Sequence, residues 1–466
     1  MRTFILGLEW FFLLYFVLIN VGYIALNLLA IPSLRRKTAL RPLEDLPPVY
    51  SGFEPPVSLL VPAYNEEATI ASSVRSLLQL DYPEFEIVVI NDGSKDGTLE
   101  ALKQAFQLEG FPEVYWRRIN AQPIRTIYHS RTHANLRVID KVNGGKADAL
   151  NVGINASRFP LFCAMDADSI LQRDSLRRVI EPFLDDPTAI ASGGTVRIAN
   201  GCTVSAGNLE RVELPRNFLA LLQIVEYLRA FLFGRMGWAT IDAVLIISGA
   251  FGVFRKDAVV EAGGYKADTI GEDMELIVRL HRVMRARGEP YKIHFVPDPI
   301  CWTEAPESLA VLKGQRIRWQ RGLCESLHKN RDLLKTHGAG GPPGLLAYPF
   351  FMVFECYGPL IEVAGYVFMT AMFLIGQISG LAFGAFLALA FSLGFLLSVS
   401  ALLLEEYSFH LYPRFSQMGM LICVAIAENL GYRQLVTYWR LIGLTRWLRG
   451  ARSTWGTMTR KGSWQK

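Results

Sequence analysis

The sequence predicts an α/β domain with a parallel sheet, flanked on both sides by transmembrane helices. Three observations lead there. Between about residues 50 and 335, short apolar strands alternate with helical stretches. Outside that region, Phe4 to Ile31 and Leu345 to Leu404 are long apolar runs. The middle region also gathers polar residues just after its strands, at the edge where open α/β sheets bind ligands.

Composition narrows the class. The chain has 466 residues, 51% of them hydrophobic, and a formal net charge of +5. That charge is too mild for a nucleic-acid protein, whose basic face would dominate. The six cysteines (Cys163, Cys202, Cys301, Cys324, Cys356, Cys423) are scattered and form no C-x-x-C pair. Neither a zinc site nor a disulfide framework is expected, which suits a reducing compartment.

The first run, residues 1–32, is expected to cross a membrane, since a bilayer core needs about 20 apolar residues in a helix. Arg35, Arg36, Lys37 and Arg41 follow it. The positive-inside rule then puts the next domain in the cytoplasm and Met1 outside. Pro47-Pro48 and Pro55-Pro56 mark the linker into the domain, and His337 to Gly344 the linker out.

Within the domain, strands are expected at Val57–Pro62, Glu86–Ile90, Leu136–Ile139, Leu161–Met165 and Ile293–Val296. Helices are expected at Glu67–Leu80, Asp96–Phe106, Lys146–Ala156 and Met274–Arg287. Two further stretches, near 213–235 and 306–335, read either as interfacial helices docking the domain on the membrane or as buried helices.

The second apolar block, within residues 345–436, holds two or three spans. Gly376 to Gly380 divides the first two, and Met418 to Val436, with Glu428, Asn429 and Arg433, is the third candidate. Glu355 and Glu362 lie in the first of these spans, facing either a polar interior or the interface. Residues 437–466 form a basic amphipathic tail suited to a membrane surface. Two spans would return that tail to the cytoplasm, and three would put it outside.

The loops carry the chemistry. Pro62 to Glu67 (PAYNEE) follows the first strand, and Asn91 to Thr98 (NDGSKDGT) the second. Asn143 to Asn151 (NGGKADALN) opens a helix with two glycines and a lysine. Each of these alone could be only a turn or cap. Asp166 and Asp168 flank one small residue in DADS. In an extended segment they would point the same way, and two such carboxylates suit a cation with hard-ligand preference, Mg²⁺ or Mn²⁺. Ser248-Gly249-Ala250 suggests a close backbone approach. In Gly271-Glu272-Asp273, Asp273 could be a helix cap or a general base. Last comes Gln315 to Gly322, QRIRWQRG.

AYNEE, NDGS, GGK, DAD, SGA, GED and QRIRW in this order resemble the membrane-integrated family 2 glycosyltransferases, which include cellulose, chitin, hyaluronan and poly-N-acetylglucosamine synthases. The resemblance covers roughly residues 50 to 335 and the flanking spans. It implies a GT-A fold, Rossmann-like in its nucleotide half. It assigns Tyr64, Glu66 and Asp92 to the uracil and ribose, Lys146 to the nucleotide, and Asp166 and Asp168 to the metal, with Asp168 foremost. Asp273 becomes the base, Arg318 of the Gln315-Arg318-Trp319 signature meets the pyrophosphate, and Trp319 supports the acceptor sugar. Arg316 and Arg321 are left for the membrane surface.

The activity so implied is inverting transfer from a UDP-sugar, UDP-N-acetylglucosamine or UDP-glucose, to a growing β-linked glycan at the inner (plasma) membrane. The alternatives are a single addition to a lipid or lipid-linked acceptor, and an idle receptor or scaffold. The span set is small for an export channel, so export partners are expected beside membrane lipids. No segment suggests a cyclic-dinucleotide-binding barrel.

Overall fold

The computed structural model describes residues 2–44, 52–205, 208–335 and 340–450. The expected linker at Pro47-Pro48, the first residues of the one at His337 to Gly344, and tail residues 451–466 lie outside the described residues.

Helix α1 (Arg2–Glu44) runs for 43 residues. At 1.5 Å per residue it is roughly 65 Å long, about twice a bilayer core. Its stretch Thr3–Arg35 is long and apolar enough to cross a membrane. Its lower part joins the core of the α/β domain, where Leu26, Ala30 and Leu34 are buried with the sheet residues.

The strands are β1 (Val57–Ala63), β2 (Phe85–Asn91), β3 (Leu108–Gly110), β4 (Ile124–Ser130), β5 (Leu136–Lys141), β6 (Leu161–Met165), β7 (Ile170–Leu171), β8 (Ala189–Ile198), the small hairpin β9 (Thr203–Ser205) and β10 (Asn208–Arg211), β11 (Phe251–Arg255) and β12 (Lys292–Thr303). Ten of them form one sheet in the order β3-β4-β5-β2-β1-β6-β11-β8-β12-β7. The four central strands β5, β2, β1 and β6 are parallel. Of these, β2, β1 and β6 read as near-continuous apolar runs because both their faces are covered. Pro62 is tolerated in β1 because the ladder to β6 ends at Leu60.

The expected parallel sheet is therefore only the centre of a mixed one. Strands β3 and β4 pair antiparallel on one flank, and β11 runs antiparallel to both β6 and β8 on the other. The chain enters β11 from the loop edge, at Ser248 to Ala250, so it must run backward. Strand β12 is longer than expected and takes in Cys301, Trp302 and Thr303.

The interleaved helices are α2 (Ile70–Leu77), α3 (Thr98–Phe106), α4 (Lys146–Ala156), α5 (Ser175–Asp185), α6 (Phe218–Tyr227), α7 (Gly234–Thr240), α8 (Lys256–Glu261), α9 (Glu272–Arg287) and α10 (Leu309–Lys329). Asn217 caps α6 by accepting from Leu219 N at 2.9 Å and Ala220 N at 3.1 Å. A π-helical stretch, Leu228–Phe233, joins α6 to α7 without a break. This rod packs on β8 and on the apolar helices at once, and α7 lies against α1. Gly237 permits that contact, since a side chain there would strike the Leu26 carbonyl.

After the domain come α11 (Pro343–Cys356), α12 (Gly358–Leu374), α13 (Gly380–Ser408), α14 (Phe415–Ala427) and α15 (Arg433–Leu448). Helices α11 and α12 meet at 46° and together form a broken span or a re-entrant turn, while α13 is long enough to cross alone. Met418 to Val436 is not one helix. It breaks between α14 and α15, where Leu430 leaves helical geometry and Gly431 has φ 111°. Helix α15 instead packs against α10 and α12.

Helix α10 also meets the start of α9 backbone to backbone. A methyl group on Gly322 would sit 2.8 Å from Gly271 Cα. Gly322→Ala should therefore push the two helices apart and lower stability by about 1–3 kcal/mol. Thermal unfolding of the purified protein in detergent micelles measures this.

Candidate active site

The loops after β1 and β2 are stitched into one rim. Asn65 holds φ 57°. Its amide donates to Ser94 Oγ at 3.0 Å, and its Oδ1 accepts from Lys95 N at 2.8 Å. Glu66 N donates to Thr98 Oγ1 at 2.9 Å, and Gly97 N donates to Glu67 Oε2 at 3.0 Å. Tyr64 is left exposed on this rim, and the Glu66 carboxylate accepts from Thr69 Oγ1 at 2.9 Å.

Asp92 is buried. Its carboxylate accepts from Lys141 Nζ, from Gly144 N at 3.0 Å, from Gly145 N at 2.7 Å and from Asn143 Nδ2 at 3.2 Å. Burial raises its pKa, opposed by Lys141 and the two glycine amides. Lys141 also pairs with Asp148 at 2.7 Å. The resemblance gives Asp92 to the uridine; in the structure its carboxylate is bonded by these protein groups. It shapes the Gly144-Gly145 turn that launches α4.

Lys146, the first residue of α4, reaches into the centre. Its Nζ lies 2.5 Å from Asp166 Oδ1 and 3.7 Å from Glu272 Oε1, and donates to Gly249 O at 3.1 Å. Burial alone would lower its pKa, but Asp166 and Glu272 hold it well above the ordinary lysine value. Glu272 is pushed up to about 7, chiefly by burial and against the pull of Lys146. Asp273 is not the helix cap; Gly271 holds that position. Asp273 Oδ2 accepts from Gly249 N at 3.0 Å, and Oδ1 from Met274 N at 2.8 Å.

Two expectations change here. Asp166 and Asp168 sit in a turn rather than an extended segment, closed by Ser169 N donating to Asp166 O at 3.1 Å. The close approach at Ser248-Gly249 is to the protein itself. A Cβ on Gly249 would lie 3.0 Å from Lys146 Nζ and 3.4 Å from Asp273 Oδ2.

Helix α10 forms the opposite wall. Trp319 keeps 40% of its surface exposed, and its ring lies 5.6 Å from that of Phe231. Arg318 is half-buried beside it. Arg316 is no surface residue. It is buried, pairs with Glu226 at 2.7 Å and stacks 4.3 Å from the Trp319 ring. Tyr432 OH donates to the same Glu226 at 2.9 Å. Arg321 is engaged too, with Glu325 at 2.9 Å. Gln315 is buried and accepts from Arg316 Nη1 at 3.3 Å.

One cavity of about 740 Å³ joins these walls. Lys146, Asp166, Asp168, Asp273, Arg318 and Trp319 all line it; Tyr64, Glu66 and Asp92 do not. It continues toward the apolar helices, where Glu355 pairs with Arg440 at 2.7 Å and also accepts from Tyr23, while Glu362 accepts from Thr437 at 3.1 Å. Those two carboxylates thus face the protein interior. Glu272, Glu226 and Tyr432 are structural partners to which sequence reasoning gave no role. Glu272 stood inside the GED motif, and Glu226 within the helical stretch expected near 213–235.

The donor set fits a hard divalent ion. Asp166 and Asp168 are the carboxylates at the end of β6, and no group of three or more His, Cys, Asp or Glu able to hold a metal occurs among the described residues. Such a pair leaves coordination positions for a diphosphate, as Mg²⁺ sites commonly do.

The fold and the loops define the class, and comparison with known families agrees. The model for "Glycosyl transferase family 2" matches residues 58–259, and that for "Glycosyl transferase family group 2" matches residues 161–426. The second match covers more than half of the chain, which therefore belongs to this family. Among curated proteins, the chain is similar to poly-beta-1,6-N-acetyl-D-glucosamine synthase of Staphylococcus epidermidis, with 30% identity over 272 residues, 58% of this chain and 55% of that protein. The enzyme of the same name from Staphylococcus aureus (strain COL) is 32% identical over 283 residues, 60% and 57% of the two chains. The chain thus spans little more than half the length of these relatives. Among solved structures, the mannosyltransferase PcManGT of Pyrobaculum calidifontis, in complex with GDP-Man and Mn²⁺, superposes with a TM-score of 0.50 at 20% identity, covering 89% of this chain and 99% of that one. It is a likeness of fold.

The buried Arg316–Glu226 pair makes a prediction. Glu226→Ala strands a guanidinium that is 2% exposed and should lower stability by about 3–5 kcal/mol. Arg321→Ala leaves Glu325 still accepting from Ile270 N at 3.0 Å and should lower it less, by about 1–3 kcal/mol. Thermal unfolding of the two variants in parallel measures the difference.

Proposed function

We propose that the chain is an inverting glycosyltransferase that moves a sugar from a UDP-sugar, UDP-N-acetylglucosamine first, to a β-linked glycan. The observation that carries this reading is the single cavity lined by Asp166, Asp168, Asp273 and Trp319, in a chain of this family. Residues about 50–335 are the catalytic GT-A unit. The apolar helices anchor it in the plasma membrane as a multi-pass protein, with that unit cytoplasmic.

The residues divide the work. The rim of Tyr64 and Glu66 receives the uridine. Asp273, oriented by the amides of Gly249 and Met274, takes the proton of the acceptor hydroxyl as its oxygen attacks the anomeric carbon. The bond to the diphosphate breaks on the opposite face, so configuration inverts. Arg318 and Lys146 stabilise the charge that gathers on the leaving diphosphate. Asp166 and Asp168 would hold Mg²⁺ or Mn²⁺, which supplies Lewis-acid stabilisation of the same charge. Trp319, on the Gln315 side of the cavity, offers an indole face to the acceptor ring, burying its C–H groups while hydroxyls stay bonded.

A single addition to a lipid-linked acceptor is the second reading. It is favoured by Ile19, Phe350 and Phe354, apolar residues of α1 and α11 that line the same cavity.

Purified protein should consume UDP-N-acetylglucosamine in the presence of a short β-1,6-linked N-acetylglucosamine oligomer, lose activity in EDTA and regain it with Mg²⁺ or Mn²⁺. Asp273→Asn should cost about 10²–10⁴-fold in turnover while UDP binding, followed by calorimetry, stays. Full turnover by Asp273→Asn would remove it as the base. Mass analysis of the product separates the readings: a ladder of lengths supports chain growth, and one added sugar on a lipid supports the second.

A further inference from the structure

Arg235, near the start of α7, lines the cavity but belongs to none of the motifs and, among the described residues, to no ion pair. It is 6% exposed, and its Nη1 has no hydrogen-bond partner among the described residues. Arg316, also buried, pairs with Glu226, and the partly exposed Arg440 and Arg229 pair with Glu355 and Glu428. A buried charge without a partner is costly. Burial pulls Arg235 down to about 10, and the charge that opposes this most is that of Asp273.

Its surroundings are those of a sugar subsite. The guanidinium lies 4.7 Å from the centre of the Phe231 ring. Phe231 in turn lies 5.6 Å from Trp319. A cation that can only donate hydrogen bonds therefore stands at the end of an aromatic wall, within the field of Asp273. Its ligand must present acceptor atoms. An acceptor sugar presents such atoms as hydroxyl and N-acyl carbonyl oxygens.

We infer that Arg235 is an acceptor-binding residue, whose guanidinium donates hydrogen bonds to hydroxyl or N-acyl carbonyl oxygens of the sugar ring resting on Trp319 and Phe231. The inference rests on the glycosyltransferase reading above and adds to it a specificity determinant outside the sequence motifs.

The test uses the full chain in detergent micelles, with UDP-N-acetylglucosamine as donor and the β-1,6-linked N-acetylglucosamine oligomer as acceptor. Arg235→Met should raise the KM for the oligomer about tenfold or more and leave the KM for the donor within twofold. Arg235→Lys, which keeps a donor and a charge, should recover part of the loss. An oligomer KM that stays within twofold in both variants overturns the inference, and so does a donor KM that rises as much as the oligomer KM. Should Arg235→Met lose cooperative unfolding, Arg235→Lys decides alone: its oligomer KM must rise at least threefold with the donor KM unmoved. Failure of the wild-type protein to consume the donor overturns the underlying reading instead. Normal wild-type turnover with unmoved variants overturns only the role of Arg235.

Discussion

The ammonium of Lys146 is the point on which the site depends. It comes from the start of α4 and touches Asp166 after β6, the Gly249 carbonyl before β11 and Glu272 at the start of α9. Four separate stretches of chain meet on one positive charge. Without it, Asp166 and Glu272 would be like charges drawn close in a poorly solvated space, where their repulsion is strong. The Asp92 network serves this arrangement from behind. By gripping Gly144 and Gly145 it sets where α4 begins, and so where Lys146 points.

The second wall is organised by charge as well, though over a longer reach. Arg316 sits between Glu226 of α6 and the ring of Trp319, and Tyr432 closes the same group from the break between α14 and α15. Gln320, one turn further along α10, donates to the carbonyls of Glu355 and Cys356 at 2.9 Å and accepts from Arg440 at 2.7 Å. Helix α10 is thus bonded to the apolar helices on one side and exposes its indole to the cavity on the other. The posture of the apolar helices and that of the cavity wall are mechanically one thing.

Local pattern made part of this legible. Leu161–Met165 and Lys146–Ala156 have the bounds expected from their residues, because a short apolar strand and a glycine-led helix are set by neighbours in sequence. The polar loops after β1, β2, β5 and β6 do share one edge, which follows from the parallel core. Strands β3 and β4 were not anticipated; β4, Ile124–Ser130, mixes Arg125, Thr126 and His129 with its apolar residues, as an outer strand with a half-open face will. The fates of Arg316 and Asp92 were illegible for another reason. The partner of Arg316 lies 90 positions away, and those of Asp92 about 50 away. An arginine that will pair with a distant carboxylate looks, in the sequence, like one bound for a membrane surface.

The contact between Gly271 and Gly322 has an evolutionary consequence. Where side chains separate two helices, substitution can widen or narrow the gap by small steps. Here backbone meets backbone, and the smallest possible residue already stands on both sides. The spacing between the start of α9 and the turn of α10 that follows Trp319 is therefore not available to gradual variation. Descendants of this chain that come to handle larger or differently branched glycans must do so through the residues that face the cavity, while the frame carrying Asp273 and Trp319 stays at one gauge.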